Sequence, residues 1–283
     1  MEEAEGARVP EGLPPVIDAH VHLFPDRVFA AIWRWFGAHA WPIRYQLTTP
    51  RLLEFLFARG VTRVVGLAYP HTAGMARSLN AYMTEVCRAE PRVTGLATVL
   101  PGEPGARDIL REAFAAGLAG VKLHCHVQCF APDASEAMEL FELCQAAGKP
   151  VVIHAGREPI SAAYRCDPRQ LCSAERLERV LRAFPRLALC VPHLGVDELD
   201  AYRRLHDRHQ NLWLDTTMML AGYFPGVEAS LEGLRSDRLL YGSDFPNLPY
   251  AWDRELRRIA SLGLPEEAIA GLLAGNARAL YGC

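Results

Sequence analysis

Short apolar runs rich in β-branched residues alternate along the chain with segments that repeat apolar residues at helical spacing. The apolar runs are nearly continuous, which is typical of parallel strands that are buried on both faces. The pattern predicts strands over residues 15–23, 62–69, 92–100, 119–126, 150–156, 186–195, 211–217 and 238–245.

The segments between these runs predict amphipathic helices. Residues 49–60 begin with Thr-Pro and end at Gly60, and residues 173–185 begin at Ser173, a residue type that caps helix N-termini. Further helices are predicted over 75–91, 106–117, 134–148, 197–209, 227–235, 251–263 and 265–282. Alternating strands and helices of this number predict an α/β fold, the (β/α)8 or TIM barrel. A doubly wound sheet is the weaker alternative, because no Gly-x-Gly-x-x-Gly follows the first strand.

The alternation predicts one barrel domain over residues 15–283, preceded by a short tail over 1–14. A chain of 283 residues is usual for such a barrel. Two unusually long connections, 24–48 and 156–172, each follow a strand. The first carries aromatic residues that include Trp33, and we expect it to be either a lid over the barrel mouth or a helix packed on its rim.

Composition and charge mainly exclude other classes of protein. The net charge is −3 without a long basic run, so nothing indicates binding to nucleic acid or to an anionic membrane surface. The sequence contains no apolar run long enough to span a membrane, and its acidic first residues lead us to expect no secretory signal. Its eight cysteines include no Cys-x-x-Cys pair, so we expect reduced thiols and a cytoplasmic location. The pattern leaves the oligomeric state open, a homo-oligomer included.

Side chains that can bind metals or move protons fall at the C-terminal ends of the predicted strands. Barrel active sites lie at that end, so we expect these side chains to meet in one pocket that binds a small-molecule substrate. The residues at the strand ends are His20, His22, Lys122, His124, His154, His193 and Asp244.

A metal ion would explain why such polar groups end apolar strands. His20 and His22 lie two residues apart, so a regular strand would present both imidazoles on one face as a pincer for zinc. His154 and Asp244 each end a buried strand, where a polar group needs a partner that a cation can supply. Asp18 shares the face of His20 and His22 in this pattern and is expected to bond a ligand.

Lys122 has more than one role open to it. Burial lowers the pKa of a lysine, and the neutral amine can react with carbon dioxide to give a carbamate that binds metal. As an ammonium group it would instead pair with a substrate carboxylate or with Asp18, and an outward-facing structural role is also open. His124, on the same strand face, is a candidate substrate contact, as are Arg157 and Trp33 in the two long connections.

The sequence resembles the amidohydrolase superfamily of metal-dependent barrels, in particular the amidohydrolase-related branch that includes aminocarboxymuconate-semialdehyde decarboxylase. The segments that carry the resemblance are DAHVHLF, GVKLH, VVIHAG, VPHLG, YGSDFP and GNARALYG. The metal ligands that the resemblance implies are His20, His22, His154 and Asp244. It also implies that His193 acts on the substrate or binds a second metal, and that Lys122 lies where binuclear members carry a bridging lysine. One zinc ion is therefore expected, or two if Lys122 is carbamylated, with Mn²⁺ and Fe²⁺ as alternatives.

These residues predict a metal-dependent hydrolase of a small amide, lactone or ester. Zinc lowers the pKa of a bound water to about 7. Asp244 would take the water's proton as general base, and His193 would stabilise the oxyanion. The alternative is a non-oxidative decarboxylase of a carboxylated cyclic or aromatic substrate. A barrel that binds metal without catalysis is a remote third hypothesis.

Overall fold

The computed structural model describes residues 3–159, 161–224, 226 and 229–283. Its strands run parallel, alternate with helices and form a barrel. The strands are β1 (Val16–His22), β2 (Val61–Leu67), β3 (Val93–Gly95), β4 (Ala97–Thr98), β5 (Val121–His124), β6 (Val151–His154), β7 (Leu189–Val191), β8 (Leu212–Asp215) and β9 (Leu239–Leu240). In the described part of the chain, β3 and β4 are two halves of one barrel strand, interrupted at Leu96, so the barrel has the predicted eight strands.

Helices surround the barrel. They are α1 (Asp26–His39), α2 (Thr49–Ala58), α3 (Ala76–Ala89), α4 (Ala106–Ala115), α5 (Cys125–Gln128), α6 (Ser135–Ala146), α7 (Pro168–Leu171), α8 (Ala174–Ala183), α9 (Leu199–Arg208), α10 (Arg254–Ala260), α11 (Glu266–Ala270) and α12 (Asn276–Tyr281). A π-helical turn, Gly271–Gly275, joins α11 to α12. No helix among the described residues has the length and apolar character needed to cross a bilayer.

Most predicted helices are present, and Ser173 caps α8 by accepting a hydrogen bond from the backbone N–H of Arg176. The predicted helix over 227–235 is wrong where the structure describes it. Residues 229–235 form loop and turns, and Gly233 has a φ of +74°, outside the helical region. Residues 227 and 228 lie outside the described residues.

The strand β1 and the segment that follows β9 close the barrel through backbone hydrogen bonds. The N–H of His22 donates to the carbonyl of Phe245 (2.8 Å), and the N–H of Asp244 donates to the carbonyl of His20 (3.0 Å). His22 and Asp244 are 222 residues apart in sequence. These bonds therefore make neighbours of side chains from opposite ends of the chain.

An apolar cluster fills the barrel interior beneath the mouth. Its main members are Ile17, Ala19, Val65, Leu67, Leu96, Val152, Cys190, Trp213 and Leu240, with Ala274, Ala277 and Tyr281 from the C-terminal helices. Along each strand, members of this interior cluster such as Val152 and Trp213 alternate with residues of a second, larger apolar cluster. Since side chains two residues apart share a strand face, His154 and Asp215 lie on the interior face above this cluster.

The side chains of β1 do not alternate regularly between the two faces of the strand. Ile17 and Ala19 belong to the interior cluster, yet His20 and His22 also lie inside the mouth, and the pairing of β1 with β2 shifts register after Asp18. A bulge of this kind moves the following side chains to the other face. The expectation that Asp18 shares a face with the two histidines is therefore wrong.

Asn80 of α3 stabilises the barrel next to the interruption of its third strand. Its side-chain Nδ2 donates to the carbonyl of Thr98 (2.9 Å), and its Oδ1 accepts from the N–H of Thr98 (2.7 Å). Both residues are buried, so water cannot replace these bonds. The amide thus satisfies backbone groups at the point where strand pairing is irregular.

The substitution Asn80→Ala tests this role. It leaves two buried backbone groups without partners, so we expect the free energy of unfolding to fall by about 2–4 kcal/mol. Urea denaturation measures the change. Arg88→Ala, at an exposed position of the same helix, is the control and should change the free energy by less than about 0.5 kcal/mol. Equal stability of the two variants would contradict the assignment.

Candidate active site

Two imidazoles and one carboxylate meet at the barrel mouth. Nε2 of His22 lies 3.0 Å from Oδ1 of Asp244, and Nε2 of His20 lies 3.4 Å from the same oxygen. One donor atom of each residue lies within 4.8 Å of the other two, and all three residues are buried. Donors bound at about 2.1 Å in a tetrahedral arrangement are themselves about 3.4 Å apart. The three residues therefore have the spacing of a metal centre, and we call them the ligand group.

Asp215 fixes the tautomer of His20. Its Oδ2 lies 2.9 Å from Nδ1 of His20, and its Oδ1 accepts from the backbone N–H of His193 (3.2 Å). A carboxylate only accepts, so Nδ1 of His20 carries the proton and Nε2 presents a lone pair. Burial lowers the pKa of His20 well below its usual value, so the ring is neutral. Two electron-rich atoms, His20 Nε2 and Asp244 Oδ1, thus converge in a buried place that favours a cation.

Lys122 lies against the ligand group. Its Nζ is 3.3 Å from Nε2 of His20, and its side chain is fully buried. Burial lowers the pKa of Lys122 to about 8, although Asp215 and Asp244 favour its charged form. The amine thus contacts the ligand group rather than the open mouth. Both the carbamate and the ammonium form stay predictions.

Asp18 stabilises the loop that carries Asp244 through hydrogen bonds. Its carboxylate accepts hydrogen bonds from Oγ of Ser243 (2.5 Å), from the N–H of Ser243 (3.0 Å) and from the N–H of His20 (3.1 Å). Burial raises the pKa of Asp18 to about 7, and the Ser243 bonds oppose that rise. Asp18 therefore positions the backbone of a ligand rather than a ligand ring.

His193 lies in a strained turn after β7. The φ angles of His193 (+58°) and Val196 (+51°) fall in the left-handed region, which costs energy and is found at functional sites. A side chain at Gly195 in the same turn would overlap the ring of Tyr202. Nδ1 of His193 donates to the carbonyl of Thr217 (2.9 Å), so Nε2 presents its lone pair. The turn aims this imidazole at the mouth, where it lines the cavity.

A second histidine group lies beside the ligand group. His124, His126 and His154 each offer a nitrogen within 4.8 Å of the others. The rings of His124 and His154 stack with centroids 4.0 Å apart and planes inclined by 9°. Lone pairs in parallel, separated planes cannot both point at one ion, so this pair forms an aromatic wall rather than a chelate. Burial lowers the pKa of all three imidazoles, so they are neutral.

His154 stands apart from the ligand group that it was predicted to complete. Its Nε2 donates to the carbonyl of Glu158 (3.0 Å), and its ring centroid lies 4.7 Å from that of His193. The structure thus brings together His20, His22 and Asp244 of the predicted ligand set. A ligand role for His154 or His193 stays a prediction.

One cavity of about 1050 Å³ at the barrel mouth is lined by His22 and Asp244 of the ligand group, by His193, and by His124, His126 and His154. The remaining lining is mainly apolar and aromatic, and comes from α1, the start of α3, and the two long connections. Trp35 of α1 contacts Tyr164 of the second connection, with ring centroids 4.9 Å apart. The first connection is thus a helix on the rim that also forms a cavity wall.

Two predicted substrate contacts lie outside this cavity, which corrects the expectation. Trp33 packs against the core on another face of α1, whereas Trp35 lines the cavity. Arg157 forms an ion pair with Asp197 (3.1 Å), whereas Arg165 of the same connection lines the cavity. His124 does line the cavity, as a substrate contact would.

Sequence reasoning missed two residues of the site. Asp215 ends a buried strand in NLWLDTT just as Asp244 does in YGSDFP, so the same criterion would have found it. His126 follows β5 in a short helix. Its ring centroid lies 4.5 Å from that of His124 and 5.0 Å from that of His154. The sequence could have indicated His126 through its position two residues after His124.

Comparison with known families agrees with this geometry. A family model described as amidohydrolase matches residues 17–283. The chain belongs to the amidohydrolase family. The resemblance inferred from the sequence motifs is thereby confirmed. A search of curated proteins finds no match to this amidohydrolase.

Solved structures share the fold of this amidohydrolase. An uncharacterised TIM-barrel protein from Bordetella bronchiseptica is 21% identical, with a TM-score of 0.74 over 95% of this chain and 99% of that chain. A 2,6-dihydroxybenzoate decarboxylase from Rhizobium is 16% identical, with a TM-score of 0.65 over 95% and 99%. A 5-carboxyvanillate decarboxylase from Novosphingobium aromaticivorans, complexed with manganese and a nitrobenzoic acid, is 17% identical, with a TM-score of 0.66 over 100% and 99%. The predicted TIM barrel is confirmed.

The hydrogen bond that His20 donates to Asp215 leads to a prediction about metal affinity. Asp215→Asn retains the shape of the side chain but removes the charge that holds the His20 tautomer. We expect the affinity of the metal-free amidohydrolase for Zn²⁺ or Mn²⁺ to fall by about 10–100-fold, measured by isothermal titration calorimetry. Asp197→Asn, which removes a carboxylate outside the cavity, should leave the affinity unchanged. Equal affinities of the two variants would refute the role of Asp215.

Proposed function

We propose that this amidohydrolase is a metal-dependent decarboxylase that releases carbon dioxide from a carboxylated aromatic or cyclic acid without an oxidant. The observation that supports this proposal is one cavity in which His22 and Asp244 of the ligand group meet a mainly apolar, aromatic wall. Two proteins with the same fold are decarboxylases of hydroxylated benzoic acids. The comparisons thus favour decarboxylation over the hydrolysis that the sequence motifs suggested first.

The ligand group has the donor chemistry of a divalent metal centre. His20 and Asp244 converge as electron-rich atoms, and Nδ1 of His22 is buried without a hydrogen-bond partner among the described residues. Two imidazoles and a carboxylate suit zinc, manganese and iron alike. A bound ion would supply positive charge that orients the substrate's carboxylate. Because the carboxyvanillate decarboxylase is complexed with manganese, Mn²⁺ is the second metal to test beside zinc.

Asp244 is the residue best placed to move a proton. Although burial alone would raise its pKa, the hydrogen bond from His22 and the nearby histidines bring the pKa of Asp244 down to about 2, so the carboxylate is ionised. Decarboxylation replaces a carboxylate by a proton at the same ring carbon. Asp244 would accept a proton from a substrate hydroxyl or from water and pass it to that carbon as carbon dioxide leaves.

The remaining cavity residues would bind and orient the ring. His124 and His154 form a stacked aromatic pair, and Tyr69 lies edge-on to His124 with centroids 4.8 Å apart. Flat, neutral aromatic walls can stack on a planar substrate and exclude water from it. The Nε2 lone pair of His193 can accept a hydrogen bond from a ring hydroxyl.

Hydrolysis of an amide, lactone or ester is the second candidate function. The ionised Asp244 beside the ligand group also satisfies what a general base for an activated water requires. The two reactions differ in their products, so product analysis separates them.

The decisive assay incubates the zinc- or manganese-loaded enzyme with hydroxylated benzoic acids in ¹⁸O-labelled water. We expect release of carbon dioxide, and an aromatic product that carries no ¹⁸O from the water. Turnover of an ester or lactone with ¹⁸O in the product acid, without carbon dioxide from any benzoic acid, would establish hydrolysis instead.

The variants His20→Ala and Asp244→Asn test the residues that carry the proposal. Each removes a member of the ligand group, and Asp244→Asn also removes the proton carrier, so we expect kcat to fall at least about 100-fold. Arg157→Ala is the control, because Arg157 lies outside the cavity, and it should keep near-normal turnover. Near-normal kcat in either ligand-group variant would contradict the assignment.

A further inference from the structure

The cavity is larger than a single-ring acid needs. Its volume is about 1050 Å³, at the upper end of the range for small-molecule pockets. A benzoic acid with a dozen or so non-hydrogen atoms would fill about a third of it, even at the ~30 Å³ per atom that a water molecule occupies in the liquid. A ring held at the ligand group therefore leaves most of the cavity for something else.

Helices α1 and α3 line that remaining space with matching apolar stripes. On α1 the cavity residues Val28, Ile32 and Trp35 follow each other at intervals of four and three, which places them on one helix face. On α3 the cavity residues Leu79 and Tyr82 lie three positions apart, which also places them on one helix face. We call these five side chains the helical wall.

The helical wall faces the cavity and not only the protein core. Val28, Trp35 and Tyr82 are only partly buried, although they are apolar or aromatic. Apolar side chains left open within a concave site are typical of a surface that a ligand covers. The charged cavity residues of the two helices, Arg27 and Glu85, are exposed, unlike the five residues of the helical wall.

We infer that the helical wall is a substrate subsite for an uncharged apolar tail, so that the natural substrate is an aromatic carboxylic acid with an aryl or alkyl substituent about as large as its ring. The inference rests on the proposed function for the placement of the carboxylate at the ligand group. It adds the substrate class: the wall shares one cavity with His22 and Asp244 of that group, so head and tail belong to one molecule.

Binding of a graded series of acids tests the subsite independently of turnover. Isothermal titration calorimetry on the metal-loaded wild-type enzyme compares benzoate, 4-butylbenzoate and biphenyl-4-carboxylate. Burial of the added carbon against the helical wall should tighten binding by about tenfold or more from the first acid to the last.

Two variants and one control variant show which side chains cause the tighter binding of the longer acids. Trp35→Ala removes the largest side chain of the wall, and Ser78→Phe adds a ring to the cavity from an exposed position on α3 that lines it. Each should cut the advantage of biphenyl-4-carboxylate over benzoate to less than about threefold, with benzoate binding itself retained. Trp33→Ala is the matched control, because it removes the same ring from α1 outside the cavity.

The possible results separate this inference from the proposed function. A tail advantage that disappears in Trp35→Ala and Ser78→Phe but persists in Trp33→Ala supports the subsite, whether or not carbon dioxide is released. Equal binding of short and long acids overturns the subsite, and carbon dioxide release would then leave the decarboxylase proposal standing. Failure of every acid to bind overturns both.

Discussion

The hydrogen bond that Nδ1 of His20 donates to Asp215 is the interaction on which the candidate centre depends. It turns the lone pair of His20 toward Oδ1 of Asp244, which lies 3.4 Å away. Barrel closure supplies the second half of this constraint, because Asp244 donates a backbone bond to the carbonyl of His20. The Asp215 carboxylate sets the tautomer of His20, and the backbone bonds that close the barrel hold Asp244 next to His20.

The cavity extends this centre into a binding site with two unlike ends. At the floor, neutral imidazoles and Asp244 can meet a metal ion and a carboxylate. Away from the floor, α1 and α3 present apolar side chains that have no role in metal binding. The stacked rings of His124 and His154 combine the properties of both ends, because their nitrogens are polar and their ring faces are flat. This division fits a substrate with an acidic head and an apolar body.

The barrel and all three residues of the ligand group could be predicted from the sequence, because both depend on local pattern. Buried parallel strands produce continuous apolar runs, and polar residues at their ends stand out against that background. The bulge in β1 could not be predicted, since one shifted residue pair leaves no mark in composition, and so the direction of Asp18 was wrong. The choice between Trp33 and Trp35 depends on how α1 is rotated against the barrel, which tertiary packing decides. His154 was placed correctly at its strand end, but the rotation of its ring depends on the loop that accepts its hydrogen bond.

The position of the metal ion tests the central claim most directly. An anomalous-difference map from crystals loaded with Mn²⁺ or Zn²⁺ should show a peak within about 2.0–2.3 Å of His20 Nε2, a ring nitrogen of His22 and a carboxylate oxygen of Asp244. A peak among His124, His126 and His154 alone, or no peak at the ligand group in crystals that contain bound metal, would contradict the account.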